Sequence, residues 1–240
     1  MLPTLVTTGF NPFAYLKPKR MPETKPQISS MVASVSEQMQ AARDQLLLYS
    51  HIINRYADTI EAGEAKSITE LRELVAPDDL AIQKLRNVIA GKIPGYDSNR
   101  DFLLAAQAAY EWVKSGIREV EVPVKFWLRP EEIVDLGVAD STDRAIFLCS
   151  LLVALGNPAA RVMVVELEGG ATRAITSFSF GSGRATGDPR TYLLDPRPDL
   201  EFDSLCGGRQ WVLSSYSHKG KRIEKVLYEF NNTEYAEGAV

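Results

Sequence analysis

The chain has 240 residues, of which 45% are hydrophobic and 24% are charged, and this balance predicts one globular domain with appendages or two small domains. Its 27 basic and 31 acidic residues give a formal net charge of -4, so it lacks the positive field that is typical of nucleic-acid-binding proteins. The two cysteines, Cys149 and Cys206, cannot form a disulfide framework, and His51 and His218 have no zinc-site spacing around them. We therefore expect no nucleic-acid partner, no structural metal and no cofactor.

Residues 1–28 have the composition of an extended N-terminal arm. Prolines such as Pro3 and Pro12 oppose helix formation, while Phe10, Phe13 and Tyr15 give the arm apolar side chains to bury. Two alternatives remain open, a disordered terminus and an arm that docks on this chain or on a neighbour. Because basic residues follow the apolar ones and the segment is too short to span a bilayer, it is a poor signal peptide. We expect a cytoplasmic location or a place within a larger assembly, and no transmembrane segment.

Residues 29–66 contain the longest predicted helix, at about 29–61. Apolar residues recur in it at alternating intervals of three and four, which is the pattern of a heptad seam. The seam consists of Val32, Val35, Met39, Ala42, Leu46, Tyr49, Ile53, Tyr56 and Ile60. The flanking positions lack complementary charges, so packing on the chain's own body, a helical bundle and a coiled-coil oligomer all remain open. His51 lies off this seam and is expected at the surface or at a boundary.

The next part of the chain, up to about residue 136, is predicted to be mainly helical. Ser67-Ile-Thr-Glu70 has the spacing of a capping box. Helices are predicted at about 67–75, 79–90, 98–115 and 129–136, with a short strand or extended connection at 117–124.

The stretch 137–156 predicts a central buried helix. Asp140, Ser141 and Thr142 are good helix-start residues, the run 145–155 is apolar on nearly every side, and Gly156 is a natural stop. Its polar N-terminus should open into a cleft or an interface, where backbone N–H groups could hold an anion or activate a nucleophile at Ser141. In the simpler alternative, Ser141 is only the N-cap.

After this helix the pattern changes to strands. They are predicted at 160–167, 172–180, 191–194, 210–213 and 224–230, separated by glycine-rich turns. Helices followed by antiparallel strands predict an α+β domain.

Several segments together resemble the transglutaminase-like superfamily of the archaeal and bacterial type. They are the helix ending Ala109-Tyr-Glu-Trp-Val-Lys-Ser-Gly-Ile117, then Phe126-Trp-Leu-Arg-Pro130, Leu151-Leu-Val-Ala-Leu-Gly156 and Tyr192-Leu-Leu-Asp-Pro196. The resemblance implies a papain-like domain at 67–240, with a helical part at 67–156 and a β part at 157–240. In that family a cysteine at the tip of the buried helix attacks an amide, a histidine on a following strand moves the proton, and an aspartate orients the histidine.

The resemblance places Ser141 at the cysteine position and Asp195 at the aspartate position. The strand 172–180 can be aligned in two registers, which put either Arg173 or Thr176 at the histidine position. Because the nucleophile and its base are both replaced, we interpret the chain as having lost this activity. Asp195 then becomes structural, binding backbone N–H groups or Arg173.

The sequence therefore predicts a catalytically inactive transglutaminase-like protein that acts by binding, as a scaffold or an assembly component. Its peptide-binding cleft would be lined by Trp127, Asp140, Ser141, Asp143, Arg173 and Asp195. Contacts with protein partners, or self-association, would use the arm at Phe10, Phe13 and Tyr15 and the helix at Val35, Met39, Leu46, Tyr49, Ile53 and Tyr56. The alternative is an atypical amide-bond hydrolase or transferase that uses Ser141 or a relocated Cys206/His218 pair.

Overall fold

The structure is a computed structural model that describes residues 25–62, 67–121, 127–181 and 189–238. For residues 25–34 and 54–62 it describes the backbone only. The chain divides into two compact units, Met1–Gln40 and Ala41–Val240. The arm residues Phe10, Phe13 and Tyr15 lie outside the described residues, and so does the side chain of Tyr56.

Six of the seven described helices follow the predicted order closely. Their bounds are α1 Lys25–Ala62, α2 Ile68–Leu74, α3 Leu80–Gly91, α4 Ser98–Gly116, α5 Pro130–Leu136, α6 Ser141–Ala154 and α7 Arg209–Ser215. The capping box before α2 is present, because Ser67 Oγ accepts from the Glu70 backbone N–H and Glu70 accepts from that of Ser67. Helix α1 begins four residues before the predicted start at residue 29. In the part of the chain that the structure describes, no helix is both long and apolar enough to cross a membrane.

Within the second unit, the buried contacts of α1 with the body lie outside its heptad seam, and the seam residue Tyr49 is half-buried. Leu48 and Ile52, which are 1% and 3% exposed, are the buried apolar residues of this part of the helix, whereas Leu46 and Ile53 on the seam are 66% and 60% exposed. Asp44 on the buried side accepts two hydrogen bonds from the Arg118 guanidinium. Packing of the seam on the chain's own body is therefore wrong for Leu46 and Ile53, because the fit to neighbouring elements selected another face of the helix.

The β part forms one antiparallel sheet. Its strands are β3 Arg161–Leu167, β4 Ala171–Phe180, β5 Arg190–Leu194, β6 Cys206–Gly207, β7 Ser217–His218, β8 Lys221–Phe230 and β9 Tyr235–Glu237. Among the described residues the strand order is β6-β5-β4-β3-β8-β7, with β9 on β8. Gly169 and Gly170 join β3 to β4 with φ values of 87° and 80°, a left-handed region that suits glycine in tight turns. A separate parallel pair joins β1 Arg118–Glu119 to β2 Val138–Ala139.

One predicted strand is wrong. Residues 210–213 belong to helix α7, although Trp211 and Val212 are typical strand formers. Val212 and Tyr216, four residues apart, are both fully buried, whereas Trp211 is 53% exposed. Tyr216 is the C-cap of α7 and its backbone N–H donates to the Val212 carbonyl, so the two buried side chains lie one turn apart and their packing overrides the local strand preference.

Two apolar clusters share the sheet. Because successive strand side chains point to opposite faces, Val162 and Val164 join the helical core with α6, while Met163 and Val165 pack with Val212 of α7. Ten of the fourteen α6 residues are buried. The predicted α+β class, with a buried central helix packed on an antiparallel sheet, is confirmed.

Candidate functional site

Helix α6 begins at the open edge of the domain, and Asp140 caps it. The Asp140 carboxylate accepts from the Asp143 backbone N–H at 2.8 Å, so Asp140 is the N-cap and Ser141 is the first helical residue. The simpler interpretation of Ser141 as the cap is therefore wrong. Burial raises the pKa of Asp140, and the backbone N–H groups of Asp143 and Thr142 oppose that rise.

A cleft of about 470 Å³ lies at this helix end, and Ser141 is part of its wall. The other polar and charged lining residues come from four regions of the chain: Glu119 and Glu121, Asp140 and Thr142, Thr172 and Arg173, and His218, Lys219 and Lys221. A smaller inner cavity of about 80 Å³ shares Asp140, Thr142, Thr172 and Arg173 with the cleft, and its wall includes Trp127.

Arg173 is held by two carboxylates at once. Its Nε and Nη2 atoms donate to the two oxygens of Asp195, each at 2.9 Å. Its Nη1 and Nη2 atoms donate to the two oxygens of Glu119, at 2.8 and 3.0 Å. Burial alone would lower the pKa of Arg173, but these bonds and the two negative charges raise it. The guanidinium is therefore a permanently charged clamp between two carboxylates.

Asp195 accepts three side-chain hydrogen bonds. Besides the two bonds from Arg173, the Tyr216 hydroxyl donates to its Oδ2 atom at 2.7 Å, and Arg197 Nε lies 3.1 Å from the same oxygen. Asp195 is 3% exposed and Tyr216 is fully buried. Burial raises the pKa of Tyr216, and the neighbouring Asp195 charge raises it further. This carboxylate is thus committed to buried partners on its own chain.

Glu119 links Arg173 to the central helix. Arg144 of α6 donates to Glu119 Oε2 at 2.8 Å and also to the Pro196 carbonyl. Burial alone would raise the pKa of Glu119, but the bonds and charge of Arg173, together with the Arg144 charge, hold it below its usual range. A strand, a helix and the end of β5 are therefore joined by one buried ionic network.

His218 lies in the same cleft as Ser141. Its Nδ1 atom is 2.9 Å from Nη1 of Arg197, and a guanidinium can only donate, so Nδ1 accepts and the ring proton resides on Nε2. Burial lowers the pKa of His218, and the charges of Arg173 and Arg197 lower it further. Among the described residues, no hydrogen bond joins Ser141 to His218, and the ring nitrogen that could accept a proton is occupied.

The other predicted site residues fall in different places. Thr176 is fully buried and donates to the Ala145 carbonyl at 2.9 Å, so of the two aligned registers only Arg173 lines the cleft. Asp143 is buried and accepts from the Leu128 backbone N–H at 3.1 Å.

Cys149 and Cys206 are both free thiols, and Cys149 is fully buried. Cys206 lies beside Tyr192 across the β5–β6 pair. Burial, together with a side-chain hydrogen bond to Cys206, raises the pKa of Tyr192 to about 12. In the described part of the chain no hydrogen bond joins Cys206 to His218, so the geometry does not assemble the relocated pair.

Five residues of the site and its surroundings do not stand out in the sequence pattern: Glu119, Arg144, Thr172, Tyr216 and Arg197. Only Arg144 carried a signal, since a charged residue inside an otherwise apolar buried helix needs a partner. Within the described residues, no group of three or more His, Cys, Asp or Glu side chains is placed to hold a metal ion.

No family model matches this chain, and no curated protein sequence matches it. The fold is similar to solved structures of Legionella pneumophila LapG at 16% sequence identity. One LapG structure covers 73% of this chain and 90% of its own, with a TM-score of 0.44. An EGTA-treated form covers 73% and 87% with a TM-score of 0.45, and a calcium-bound form covers 77% and 87% with a TM-score of 0.42.

Proposed function

We propose that this chain is a catalytically inactive transglutaminase-like protein that acts by binding, as a scaffold or a structural assembly component. The observation that carries the proposal is the Arg173 clamp. Arg173 lines the cleft beside Ser141, where a proton acceptor would be needed, and its guanidinium has no lone pair to offer.

The remaining groups of the cleft favour the same conclusion. A serine hydroxyl needs a neighbouring base to become a nucleophile. Asp195 already accepts from Arg173 and Tyr216, and Glu119 from Arg173 and Arg144. The acceptor nitrogen of His218 faces Arg197. Glu119, Asp195 and His218 are thus already engaged with arginines, and Asp140 with the backbone of the helix that it caps.

A peptide is the ligand that this cleft suits best. Its wall offers hydrogen-bond donors, among them the Ser141 hydroxyl, His218 Nε2–H and Lys221, and acceptors on Asp140 and Glu121. An extended peptide presents backbone C=O and N–H groups along its length, and both kinds need partners when water is displaced. Trp127 lines the adjoining smaller cavity, and Asp143 and Asp195 are buried, so these three residues would support the cleft wall without lining it. The arm and α1 supply the contacts with protein partners.

A screen for peptidase activity and amine incorporation on the purified full chain tests the proposal. We expect no turnover above the buffer, and the same result for Ser141→Ala, while binding of a peptide pool to the cleft persists in that variant. Any turnover that Ser141→Ala abolishes would contradict the proposal.

One observation favours an alternative function, an atypical amide-bond hydrolase or transferase. Ser141 and His218 line the same cleft, so release of Nδ1 by Arg197 and a shift of the ring proton would give Ser141 a base. In that case Ser141→Ala and His218→Gln would both abolish turnover, whereas Cys206→Ser would not. Loss of turnover in Cys206→Ser together with His218→Gln would instead indicate the relocated pair.

A further inference from the structure

Helix α1 has two apolar faces, and the body uses only one of them. Within the unit Ala41–Val240, Leu48 and Ile52 are buried, and Gln45 donates to the Glu121 carbonyl at 3.2 Å. At about 100° per residue, Leu46 and Ile53 lie about 140–160° around the helix from Leu48, and Gln45 lies between the two faces. Leu46 and Ile53 both remain more than half exposed.

The exposed face carries the heptad seam of the sequence. Leu46 and Ile53 are seven residues apart and belong to the run of three- and four-residue intervals that begins at Val32. In the unit Met1–Gln40, Val35 and Met39 of the same run are 53% and 65% exposed. A stripe of period 3.5 stays in register only with another helix that supercoils with it, since a stripe that packs on a globular surface follows the 3.6 period.

The partner of such a stripe must be a helix of comparable length. Helix α1 has 38 residues, and the next longest described helix, α4, has 19 and already buries its own apolar face at Phe102, Ala106 and Tyr110. No other described helix of this chain can therefore cover the seam, whereas the α1 of a second copy matches it in length and pattern.

The positions that flank the seam allow self-pairing. In a pair of identical helices the flanking positions of one copy meet flanking positions of the other, so runs of one charge sign there would repel. The flanks of this seam hold mostly uncharged residues, with one cation: Ser36, Gln38, Arg43, Gln45, Ser50, Ile52, Ala57 and Thr59. Gln45 and Ile52 of one flank also contact the chain's own body, so this flank is shared between the two surfaces.

We infer that the chain forms a dimer in which the α1 seams of two copies pair as a coiled coil. This inference rests on the assembly role in the proposed function and names its partner, a second copy of the same chain. The pair is isologous, with each copy contributing the same face. The second apolar face keeps each body attached to its own helix through Leu48 and Ile52.

Sedimentation of the full chain over a range of concentrations tests the inference. We expect a mass of about 53 kDa, twice the 26.6 kDa of one chain, that falls towards one chain on dilution. The double variant Leu46→Lys with Ile53→Lys should sediment at 26.6 kDa. A matched control, Leu47→Lys with Leu104→Lys, changes two residues that are 48% and 61% exposed off the seam, and it should remain dimeric.

Three outcomes would overturn the inference: a wild-type chain that stays at one-chain mass, a seam variant that dimerises like the wild type, and a control that dissociates as the seam variant does. Circular dichroism and the unfolding midpoint establish that both variants are folded, which the exposure of all four substituted side chains favours. The screen for turnover does not depend on the mass of the particle. A chain that is monomeric and inactive would therefore contradict the dimer and still agree with a non-catalytic cleft.

Discussion

Arg173 holds two carboxylates at once, so its removal leaves two charges at the cleft without their main partner. Asp195 is almost fully buried, and the Glu119 side chain is 23% exposed. Removing one member of a buried ion pair costs about 3–5 kcal/mol, because the remaining charge has lost its compensation. We therefore expect Arg173→Met to lower the free energy of unfolding by about that amount in urea denaturation.

The matched control for this prediction is Arg222→Met. Arg222 is exposed at the start of β8, and surface substitutions usually change stability by less than about 0.5 kcal/mol. Equal losses in the two variants would mean that the clamp contributes nothing specific. Arg173→Lys keeps the charge but not the planar fork, so its loss should fall between the two.

At the scale of residues, the sequence predicted part of this site. The pattern around Ser141 predicted a polar tip on a buried helix, and the Asp195 to Arg173 contact was foreseen as one of two options. Glu119 could not be predicted, because it lies in a two-residue strand and is 54 positions from Arg173 in the sequence. Only the tertiary fold brings the two side chains together. The same holds for Tyr216, which reaches Asp195 only through the tertiary placement of the segment after α7.

The choice of contact face on α1 can be tested at the scale of the element. Leu48→Ala should lower the free energy of unfolding by about 2–5 kcal/mol, because it opens a cavity where α1 meets the body. Leu47→Ala, one residue earlier and 48% exposed, should change it by less than about 0.5 kcal/mol. Thermal or urea unfolding of the two variants measures the difference. A larger loss of stability in Leu47→Ala than in Leu48→Ala would mean that the contact face has been assigned to the wrong side of the helix.

Helices were more predictable than their contacts. The bounds of α2 to α6 follow from local signals, namely the Ser67 capping box, the Asp79 and Asp140 caps and the Gly137 stop. The buried face of α1 does not follow from periodicity, since its heptad seam is apolar over a longer run than the face that the body covers. Helix α7 shows the same limit, because Trp211 and Val212 favour a strand until Tyr216 is placed beside Val212.

At the scale of the whole domain, the Glu119 network connects the helical layer to the sheet. The order of helices followed by strands was sufficient to predict an α+β domain, since each layer needs the other to bury its apolar face. It did not predict that β1, α6 and the end of β5 would meet through charged side chains. Arg144 and Arg173 face Glu119 there, beside the contacts of Arg173 and Arg197 with Asp195, so this junction depends on Glu119 being ionised.

That dependence gives the domain a specific weakness to acid. Glu119 has a folded pKa below its usual 4.5, so in the native state it binds fewer protons than in the unfolded chain at acidic pH. Its contribution to stability is therefore complete above about pH 4.5 and is lost as the pH falls through the folded pKa. We expect the free energy of unfolding, measured in urea at a series of pH values from neutral to about 3, to decline across that window.

Glu119→Gln isolates this contribution from that of other carboxylates. The variant should be less stable than the wild type at pH 7, because Arg144 and Arg173 lose a charged partner, but its decline below pH 4.5 should be shallower. Glu224→Gln, an exposed change of the same kind on β8, should keep the wild-type decline. Parallel curves for the wild type and Glu119→Gln would mean that Glu119 does not titrate as a buried partner of the two arginines.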